Sequence, residues 1–189
     1  MSTSGYHHGD LRAACLRAAL ELLEEGGATA LSLRAVARRA GVAPSAPYRH
    51  YADRDALLSA VAAVGYRRLA ERLAAAHPSP STPEDLAAVA VAYVRFALDQ
   101  PALFRVMFGE PCDRDSSERV AATAAISAYV GAIVARCFPD SDPEAMSTAV
   151  WALVHGLAFL HLDGKLDASR PAVVSKRVRG AVRAALAAA

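Results

Sequence analysis

The feature that most constrains the fold is a short segment in which a small residue and a glycine are spaced for two helices to cross. Ala37 is small enough to lie where two helix backbones meet, and Gly41, four residues later, can adopt the positive φ of a tight turn. Val42 follows at once and is placed to fill the space between the helices. With apolar Leu33 and Val36 ahead of it, the pattern is typical of a helix-turn-helix. The alternative is two short core helices in an unrelated all-α protein.

Composition and apolar spacing favour helices along the whole chain. Much of the 54% hydrophobic content is alanine, which loses no side-chain entropy in a helix. Aromatic residues make up only 6%, and alternating strand-like runs are missing from the sequence. We therefore predict an all-α fold of about nine helices. By their caps and breakers, the predicted helices are 10–25, 32–41, 44–48, 53–76, 83–100, 102–108, 118–138, 143–163 and 171–186.

One segment, His77-Pro-Ser-Pro-Ser-Thr-Pro83, has the composition of a linker. It predicts a helix-turn-helix domain at 1–52, a connecting helix at 53–76 and a second helical domain at 77–189. Residues 1–76 contain ten arginines and seven acidic residues, a net charge of +3, whereas residues 77–189 have a net charge of −1. This basic excess in the N-terminal part supports contact with DNA, although a solvated surface would tolerate it too.

Several classes of protein are disfavoured by the sequence. Cys15, Cys112 and Cys137 are too few and too scattered for a disulfide framework or a zinc site. No run of about 18 apolar residues without charges is found, so we expect no membrane span and no membrane partner. The polar N-terminus lacks the apolar core of a signal peptide, which favours a cytoplasmic protein.

Motifs of enzymes and metalloproteins are also missing from the sequence. It contains no nucleophile–base arrangement, metal motif or phosphate-binding glycine loop, so we expect no catalysis, no cofactor and no metal. The metal alternative, a site at His7, His8 and Asp10, would require three ligands on one polar arm. The alternative of a small all-α enzyme would use an acid pair drawn from Asp99, Glu110, Asp113 and Asp115, which look like helix ends and loop.

The region of the helix-turn-helix resembles a known DNA-binding family. Ser32-Leu-Arg-Ala-Val-Ala-Arg-Arg-Ala-Gly-Val, followed by Tyr48-Arg-His-Tyr51 and Asp53-Arg-Asp-Ala-Leu-Leu58, is similar to the DNA-binding domain of the tetracycline-repressor (TetR) family. The likeness extends over about residues 8–60. Trp151-Ala-Leu-Val-His-Gly156 resembles the Trp-x3-His-Gly motif of a C-terminal subfamily, the WHG type. The resemblance implies a ligand-responsive transcriptional regulator, usually a repressor, with an N-terminal three-helix DNA-binding domain and a C-terminal ligand-binding and dimerisation domain.

By this resemblance, the short helix after the turn lies in the major groove of a double-stranded DNA operator. The residues it assigns to DNA contact are Ser32, Arg34, Ala43, Pro44, Ser45, Ala46, Tyr48, Arg49, His50 and Arg54. An exposed arginine such as Arg34 has the alternative of being only a solvated charge, and Tyr51 is expected in the core. The sequence departs from the family at Pro47, where a branched apolar residue is commoner. Proline removes one helical hydrogen bond, which predicts a short or partly 3₁₀ recognition helix.

The C-terminal helices are expected to bind a small molecule and a second subunit. The candidates for ligand binding are Tyr93, Phe96, Phe104, Met107, Phe108, Tyr129, Trp151, His155 and Phe159, each with the alternative of being plain core. His155 would hydrogen-bond either a ligand or a neighbouring carbonyl. A mostly apolar lining suits a hydrophobic or aromatic effector.

The helix at 143–163 is apolar nearly all round and must be covered on two faces. By resemblance, the last two helices form a homodimer that reads a near-palindromic operator. The alternative function is a helical small-molecule-binding protein without specific DNA binding.

Overall fold

The chain folds into helices over the residues that the structure describes. The computed structural model describes residues 8–110, 113 and 115–186. Within these ranges it contains eight α-helices, two 3₁₀ turns and no strand, which confirms the all-α class and is close to the nine helices predicted. The α-helices are α1 (His8–Gly26), α2 (Leu33–Arg39), α3 (Arg54–Ala76), α4 (Pro83–Asp99), α5 (Pro101–Gly109), α6 (Ser117–Cys137), α7 (Pro143–Leu162) and α8 (Pro171–Leu186), and the 3₁₀ turns are Ala28–Ala30 and Pro47–Arg49.

Tertiary contacts divide the chain into two compact units. The first comprises Met1–Gly65 and Ala102–Ala121, and the second comprises Tyr66–Pro101 and Ala122–Ala189. Nearly all of α5 and the start of α6 thus belong with the N-terminal helices. The functional boundaries expected after residues 52 and 76 stay a prediction.

In the first unit, α2 and the turn after it have the local geometry that the sequence predicts. Ser32 caps α2, and its hydroxyl accepts a hydrogen bond from the Ala35 N–H at 3.1 Å. Gly41 has a φ of 67°, a left-handed value that glycine adopts without strain. The turn lets the Val42 N–H donate to the Ala37 carbonyl at 3.0 Å. Ala37 is buried at this turn, as expected of the small residue in the motif.

The third helix of the motif is the 3₁₀ turn at Pro47–Arg49. Pro47 has no N–H, so it cannot donate to the Ala43 carbonyl as a residue in an α-helix would. That carbonyl accepts instead from the Ala46 N–H at 2.9 Å, and the Ala46 carbonyl accepts from the Arg49 N–H at 3.2 Å. Both bonds span three residues, as in a 3₁₀ helix. The expected short, partly 3₁₀ recognition element is confirmed.

In the second unit, α4 is the central helix and packs on both α7 and α8. It begins with a capping box, in which the Thr82 hydroxyl accepts from the Asp85 N–H at 3.2 Å and the Asp85 carboxylate accepts from the Thr82 N–H at 3.1 Å. Because α4 is buried on most of its surface, it forms the core against which the later helices lie. The buried stripe of α8 is Val174, Val178, Val182 and Leu186.

Two helices keep most of their apolar surface uncovered in this chain. α6 and α7 are each long and apolar enough to cross a membrane by length and composition, and only a minor share of either is buried. The expectation that no segment meets this criterion is therefore wrong. α7 meets it because residues 145–162 carry no Asp, Glu, Lys or Arg. The buried residues of α6 are Ala122, Ile133 and Val134, and those of α7 are Val150, Val154, Leu157, Ala158 and His161.

Gly65 of α3 lies so close to Met107 of α5 that a methyl group has no room there. A Cβ atom at Gly65 would be 2.5 Å from the Met107 sulfur and 2.7 Å from its Cγ. We expect Gly65→Ala to lower the free energy of unfolding by about 1–3 kcal/mol, the usual range for overpacking. Urea unfolding followed by circular dichroism measures this change.

The matched control is Gly131→Ala in α6, where an added Cβ meets no atom within 4 Å. Because alanine is the better helix former, this variant should be more stable than the parent chain by up to about 1 kcal/mol. Equal stability of the two variants would contradict close packing at Gly65.

Candidate nucleic-acid interface and effector site

The recognition segment, residues 43–50, presents small side chains, one phenol and one guanidinium to solvent. Its exposed residues are Ala43, Pro44, Ser45, Tyr48 and Arg49, and its half-buried residues are Ala46 and His50. Pro47 and Tyr51 are buried, the latter as expected, and they anchor the segment to the helices of the first unit. The outer surface can therefore meet base edges through methyl groups and the Ser45 hydroxyl, and the Tyr48 phenol is a second exposed hydroxyl.

Arginines near this segment differ in whether their charge is already neutralised. Arg34 and Arg38 of α2 and Arg49 of the 3₁₀ turn are exposed, and within the described residues none of them has an ion-pair partner. Arg39, in contrast, pairs with Glu25 through two hydrogen bonds of 2.9 and 2.5 Å and with Glu21 at 3.3 Å. The positive charge available to a phosphate backbone is therefore that of Arg34, Arg38 and Arg49.

Arg54 is engaged inside the first unit. Its Nε donates to the Leu31 carbonyl at 3.2 Å, and its Nη2 donates to the Ala28 carbonyl at 2.9 Å. The same nitrogen lies 3.7 Å from a carboxylate oxygen of Glu110. These contacts tie the start of α3 to the 3₁₀ turn at Ala28–Ala30. They give Arg54 a positioning role, and its expected contact with DNA stays a prediction.

Ser32 and His50 each have one polar group committed to the fold. The Ser32 hydroxyl oxygen caps α2, which leaves its O–H free to donate to another acceptor. The Nε2 atom of His50 is buried and has no hydrogen-bond partner among the described residues. Nδ1 is therefore the ring nitrogen through which His50 would meet a phosphate.

Sequence reasoning missed an ion pair between α1 and α6. Arg12 Nη2 lies 2.7 Å from Glu118 Oε2, and this hydrogen bond raises the pKa of the Arg12 guanidinium. The guanidinium carbon is 5.9 Å from the centre of the Tyr51 ring, and the Tyr51 hydroxyl donates to the Arg12 carbonyl at 3.5 Å. Because the two charged residues are 106 positions apart, no local pattern could reveal the pair.

In the second unit, four of the predicted effector residues form one aromatic cluster. The Tyr93 hydroxyl lies 3.0 Å from His155 Nδ1. The His155 ring is 5.6 Å from the Trp151 ring and 4.9 Å from the Phe159 ring, measured between centroids. Tyr93 is almost completely buried, whereas Trp151 is 52% exposed. The cluster therefore reaches from the core of the unit to its surface.

The protonation states in this cluster follow from burial. Burial raises the pKa of the Tyr93 phenol, opposed by a hydrogen bond from Trp151, so the phenol stays neutral. Burial lowers the pKa of His155, so the imidazole is neutral near pH 7. The Tyr93 hydroxyl and His155 Nδ1 share one hydrogen bond, and the His155 tautomer decides which of the two donates.

The other predicted effector residues lie elsewhere in the two units. In the second unit, Phe96 is fully buried. The Tyr129 hydroxyl donates to the Leu73 and His77 carbonyls, at 3.2 Å each. In the first unit, the Phe104 and Phe108 rings pack with centroids 4.7 Å apart, and Met107 lies against Gly65. These five residues therefore all take part in packing or internal hydrogen bonds.

A second histidine of α7 was not singled out from the sequence. His161 is only 3% exposed, and burial together with the positive charge of Arg177 lowers its pKa. The carbonyls of Leu166 and Asp167 and the Asp167 charge act in the opposite direction. As for metals, the described part of the chain has no group of three or more His, Cys, Asp or Glu able to hold an ion. His7, Cys112 and the side chains of His8 and Asp10 lie outside the described residues.

Two protein-family models match the chain. The model of bacterial regulatory proteins of the tetR family matches residues 16–61, which include α2, the turn and the recognition segment. The model described as the tetracyclin repressor-like C-terminal domain matches residues 86–186, which include α5 to α8. The Trp151–Gly156 motif lies within the second range.

Curated relatives and solved structures agree with these matches. HTH-type transcriptional regulators Rv1816 of Mycobacterium tuberculosis and Mb1846 of Mycobacterium bovis are each 33% identical to the chain over 140 residues. These alignments cover 67% of the chain and 60% of each relative, so the chain spans less than two thirds of their length.

Among solved structures, a protein of unknown function from Rhodococcus sp. RHA1 has 36% identity and a TM-score of 0.77, with 96% of this chain and 98% of that chain covered. A tetR-family bacterial regulatory protein from Rhodococcus RHA1 has 23% identity and a TM-score of 0.69, with 96% and 97% covered, and shows the shared fold.

Acidification is expected to weaken the second unit through His155 and His161. Both folded-state pKa values are lowered from 6.5, so the unfolded chain takes up protons first as the pH falls. The stability that the neutral rings provide is complete above the unfolded pKa and is lost as the pH falls through the folded values. Urea unfolding between about pH 7.5 and about pH 5 measures this loss.

The double variant His155→Gln/His161→Gln should show a shallower dependence of unfolding free energy on pH than the parent chain. The carboxyl groups with lowered pKa values, such as Glu84 and Asp167, titrate at lower pH and do not obscure the comparison. An identical pH slope in both proteins would contradict the assignment.

Proposed function

The chain belongs to the TetR family of bacterial regulatory proteins, and on this premise we propose that it is a ligand-responsive transcriptional regulator, a repressor in its usual mode. The observation that carries the proposal is the surface of the first unit. There the recognition segment, which includes Arg49, is exposed near Arg34 and Arg38, and none of these three arginines has an ion-pair partner in the described part of the chain. Such a surface fits the phosphates and major groove of double-stranded DNA.

On the DNA, each group of residues has a distinct task. Ala43, Pro44, Ser45 and Ala46 face base edges, where small side chains favour contact with thymine methyl groups. Charge and hydrogen bonds to the phosphates come from Ser32, Arg34, Tyr48, Arg49 and His50. Arg54 supports them by holding α3 to the helix-turn-helix. Because few polar groups reach the bases, the shape of the operator contributes to specificity.

The effector binds at the aromatic cluster of the second unit. Tyr93, Trp151, His155 and Phe159 combine apolar rings with one neutral hydrogen-bonded pair, and no charged side chain belongs to the cluster. This lining suits an uncharged hydrophobic or aromatic molecule. Binding shifts the protein towards a state that no longer fits its operator.

The protein acts as a homodimer whose interface is formed by α7 and α8. It works in the cytoplasm, where its operator lies, and it is not an enzyme. Dimerisation covers the outer face of α7, which a single chain leaves uncovered. Two recognition segments about 34–36 Å apart, one turn of DNA, would read a near-palindromic operator. Residues 1–52 then bind DNA, residues 53–76 connect, and residues 77–189 bind the effector and the second subunit.

The DNA contacts are tested by fluorescence anisotropy with the DNA that flanks the gene of this protein. Arg34→Gln and Arg49→Gln should each reduce the magnitude of the slope of log affinity against log salt by about 2, because each removes one phosphate contact per subunit and the dimer has two subunits. Tyr48→Ala should abolish binding that survives competitor DNA.

The matched control for the arginines is Arg39→Gln, because the charge of Arg39 is neutralised by Glu21 and Glu25. Its salt slope should equal that of the parent chain. Arg34→Gln and Arg39→Gln with equal slopes would count against the assigned interface. Sequence-blind binding by the parent chain, together with tight small-molecule binding, would favour a small-molecule-binding protein without specific DNA recognition.

The dimer is tested by Gly156→Leu on the exposed face of α7. In the single chain an added Cβ at Gly156 meets no atom within 4 Å, and leucine is the better helix former, so the folded subunit should be unharmed. We expect sedimentation to show a monomer, because the larger side chain keeps a second α7 at a distance. At the control position Gly131 in α6 an added Cβ likewise meets no atom within 4 Å, and Gly131→Leu should stay dimeric. A dimeric Gly156→Leu would refute an interface through this face.

A further inference from the structure

Arg12 of α1 contacts two residues that are distant from it in the sequence. Its Nη2 atom lies 2.7 Å from Oε2 of Glu118, which belongs to the first turn of α6. Its guanidinium carbon is 5.9 Å from the centre of the Tyr51 ring, and its carbonyl accepts a long hydrogen bond of 3.5 Å from the Tyr51 hydroxyl. Arg12 therefore joins the start of α6 to Tyr51.

Tyr51 connects this ion pair to the recognition segment. The residue is 2% exposed, and its N–H donates to the Pro47 carbonyl at 3.0 Å. Burial raises the pKa of the Tyr51 phenol despite the nearby charge of Arg12, so the ring is neutral and meets the guanidinium through its face and its hydroxyl. Three successive contacts thus lead from Glu118 to the backbone of the recognition segment.

We propose that Arg12 and Glu118 are positioning residues for DNA recognition. Their ion pair holds Tyr51 in place, and Tyr51 holds the recognition segment in the orientation that meets the operator. This inference rests on the proposed function and adds to it two residues that act on DNA binding without contacting DNA.

The ion pair differs from the neighbouring contacts in the helix that it holds. Arg54 of α3 lies 3.7 Å from a Glu110 carboxylate oxygen, and the hydroxyl of Ser59, also in α3, donates to the Asp113 carbonyl at 3.2 Å. Both contacts fasten the segment before α6 to α3. The ion pair instead fastens α6 to α1, and α1 packs on both α2 and the 3₁₀ turn at Pro47–Arg49. It therefore acts on the helix-turn-helix directly.

The continuity of α6 gives this contact its importance. Residues 117–121 of the helix belong to the first unit, and the same helix continues in the second unit from Ala122. A displacement of its first turn reaches the recognition segment through Arg12 and Tyr51, without passing through α3. The position of the segment thus depends on α6 as well as on α3, the helix that follows it in the chain.

The alternative role for Arg12 is direct contact with a DNA phosphate, and the two roles predict opposite effects of removing the Glu118 charge. If Arg12 contacts a phosphate, Glu118→Gln removes a competing negative charge, so affinity for DNA rises. If the ion pair positions the segment, the same substitution releases Arg12 and Tyr51, so affinity falls although a negative charge has been lost.

The test is fluorescence anisotropy of the full chain with the DNA that flanks its gene, at several salt concentrations. We expect Arg12→Gln and Glu118→Gln each to weaken specific binding by about 3- to 25-fold, because a half-exposed ion pair contributes up to about fivefold and the dimer has two. The salt slope should equal that of the parent chain, since no phosphate contact is lost. The double variant should bind no more weakly than either single variant, because both substitutions remove the same pair.

The matched control is Arg72→Gln. Arg72 pairs with Asp99 at the same distance of 2.7 Å, and its side chain has the same 40% exposure as that of Arg12. This pair joins α3 to α4 within the second unit. Arg72→Gln and Arg12→Gln should therefore lower the urea midpoint equally, whereas only Arg12→Gln should weaken DNA binding. Arg12→Lys keeps the charge and should recover most of the affinity.

Three results would overturn the inference. Tighter binding by Glu118→Gln, or a salt slope of Arg12→Gln reduced in magnitude by about 2, would make Arg12 a phosphate contact. Equal DNA affinity of Arg12→Gln and Arg72→Gln would show that the pair only supports the fold. Arg12→Lys as weak as Arg12→Gln would show that the charge is not what positions the segment.

The parent chain in the same titration tests the proposed function separately. Specific binding by the parent, with no loss in the Arg12 and Glu118 variants, would leave the regulator intact while the inference fails. Sequence-blind binding by the parent would contradict the proposed function and the inference together.

Discussion

A helix that is apolar nearly all round is stable in water only if both of its sides are covered, and α7 imposes this condition on the second unit. α4 and α8 cover one side of α7, and this accounts for which of their own residues are buried. α4 is buried on most of its surface, while α8 contributes a single stripe of valines and a leucine. The opposite side of α7 remains exposed in the single chain, which is why the same helix defines both the aromatic cluster and the expected interface.

In the first unit, the corresponding constraint is the proline at position 47. It forces the backbone into bonds that span three residues, and the burial of Pro47 and Tyr51 then holds the short turn in place. This anchoring, rather than a run of helical hydrogen bonds, positions the segment. A surface of small side chains suits recognition through contact with methyl groups and groove shape, because larger polar side chains would need room to reach the bases.

Much of this arrangement could be predicted from the sequence because its signals are local. The cap at Ser32, the turn at Gly41 and the capping box at Thr82 each involve residues within four positions. Contacts between distant residues left no such signal. Three examples depend on how whole helices pack. They are the Arg12–Glu118 ion pair, the hydrogen bonds of Arg54 to carbonyls inside the first unit, and the hydrogen bond from the Tyr129 hydroxyl to a backbone carbonyl. The apolar surface of α6 and α7 was underestimated because interspersed Ser, Thr and His interrupt the apolar runs without adding charge.

The pairing of Arg39 with two glutamates gives evolution a means to adjust DNA affinity from behind the contact surface. Arg39 adjoins Arg38 on α2, yet Glu21 and Glu25 of α1 hold its charge. Loss of either glutamate by mutation would release part of that charge towards the phosphates without altering any residue that reads bases. Affinity for DNA of any sequence would rise, and discrimination between operators would fall, since only the non-specific part of binding increases. By neutralising Arg39, Glu21 and Glu25 would therefore help the protein discriminate between operators, although α1 itself need not contact a base.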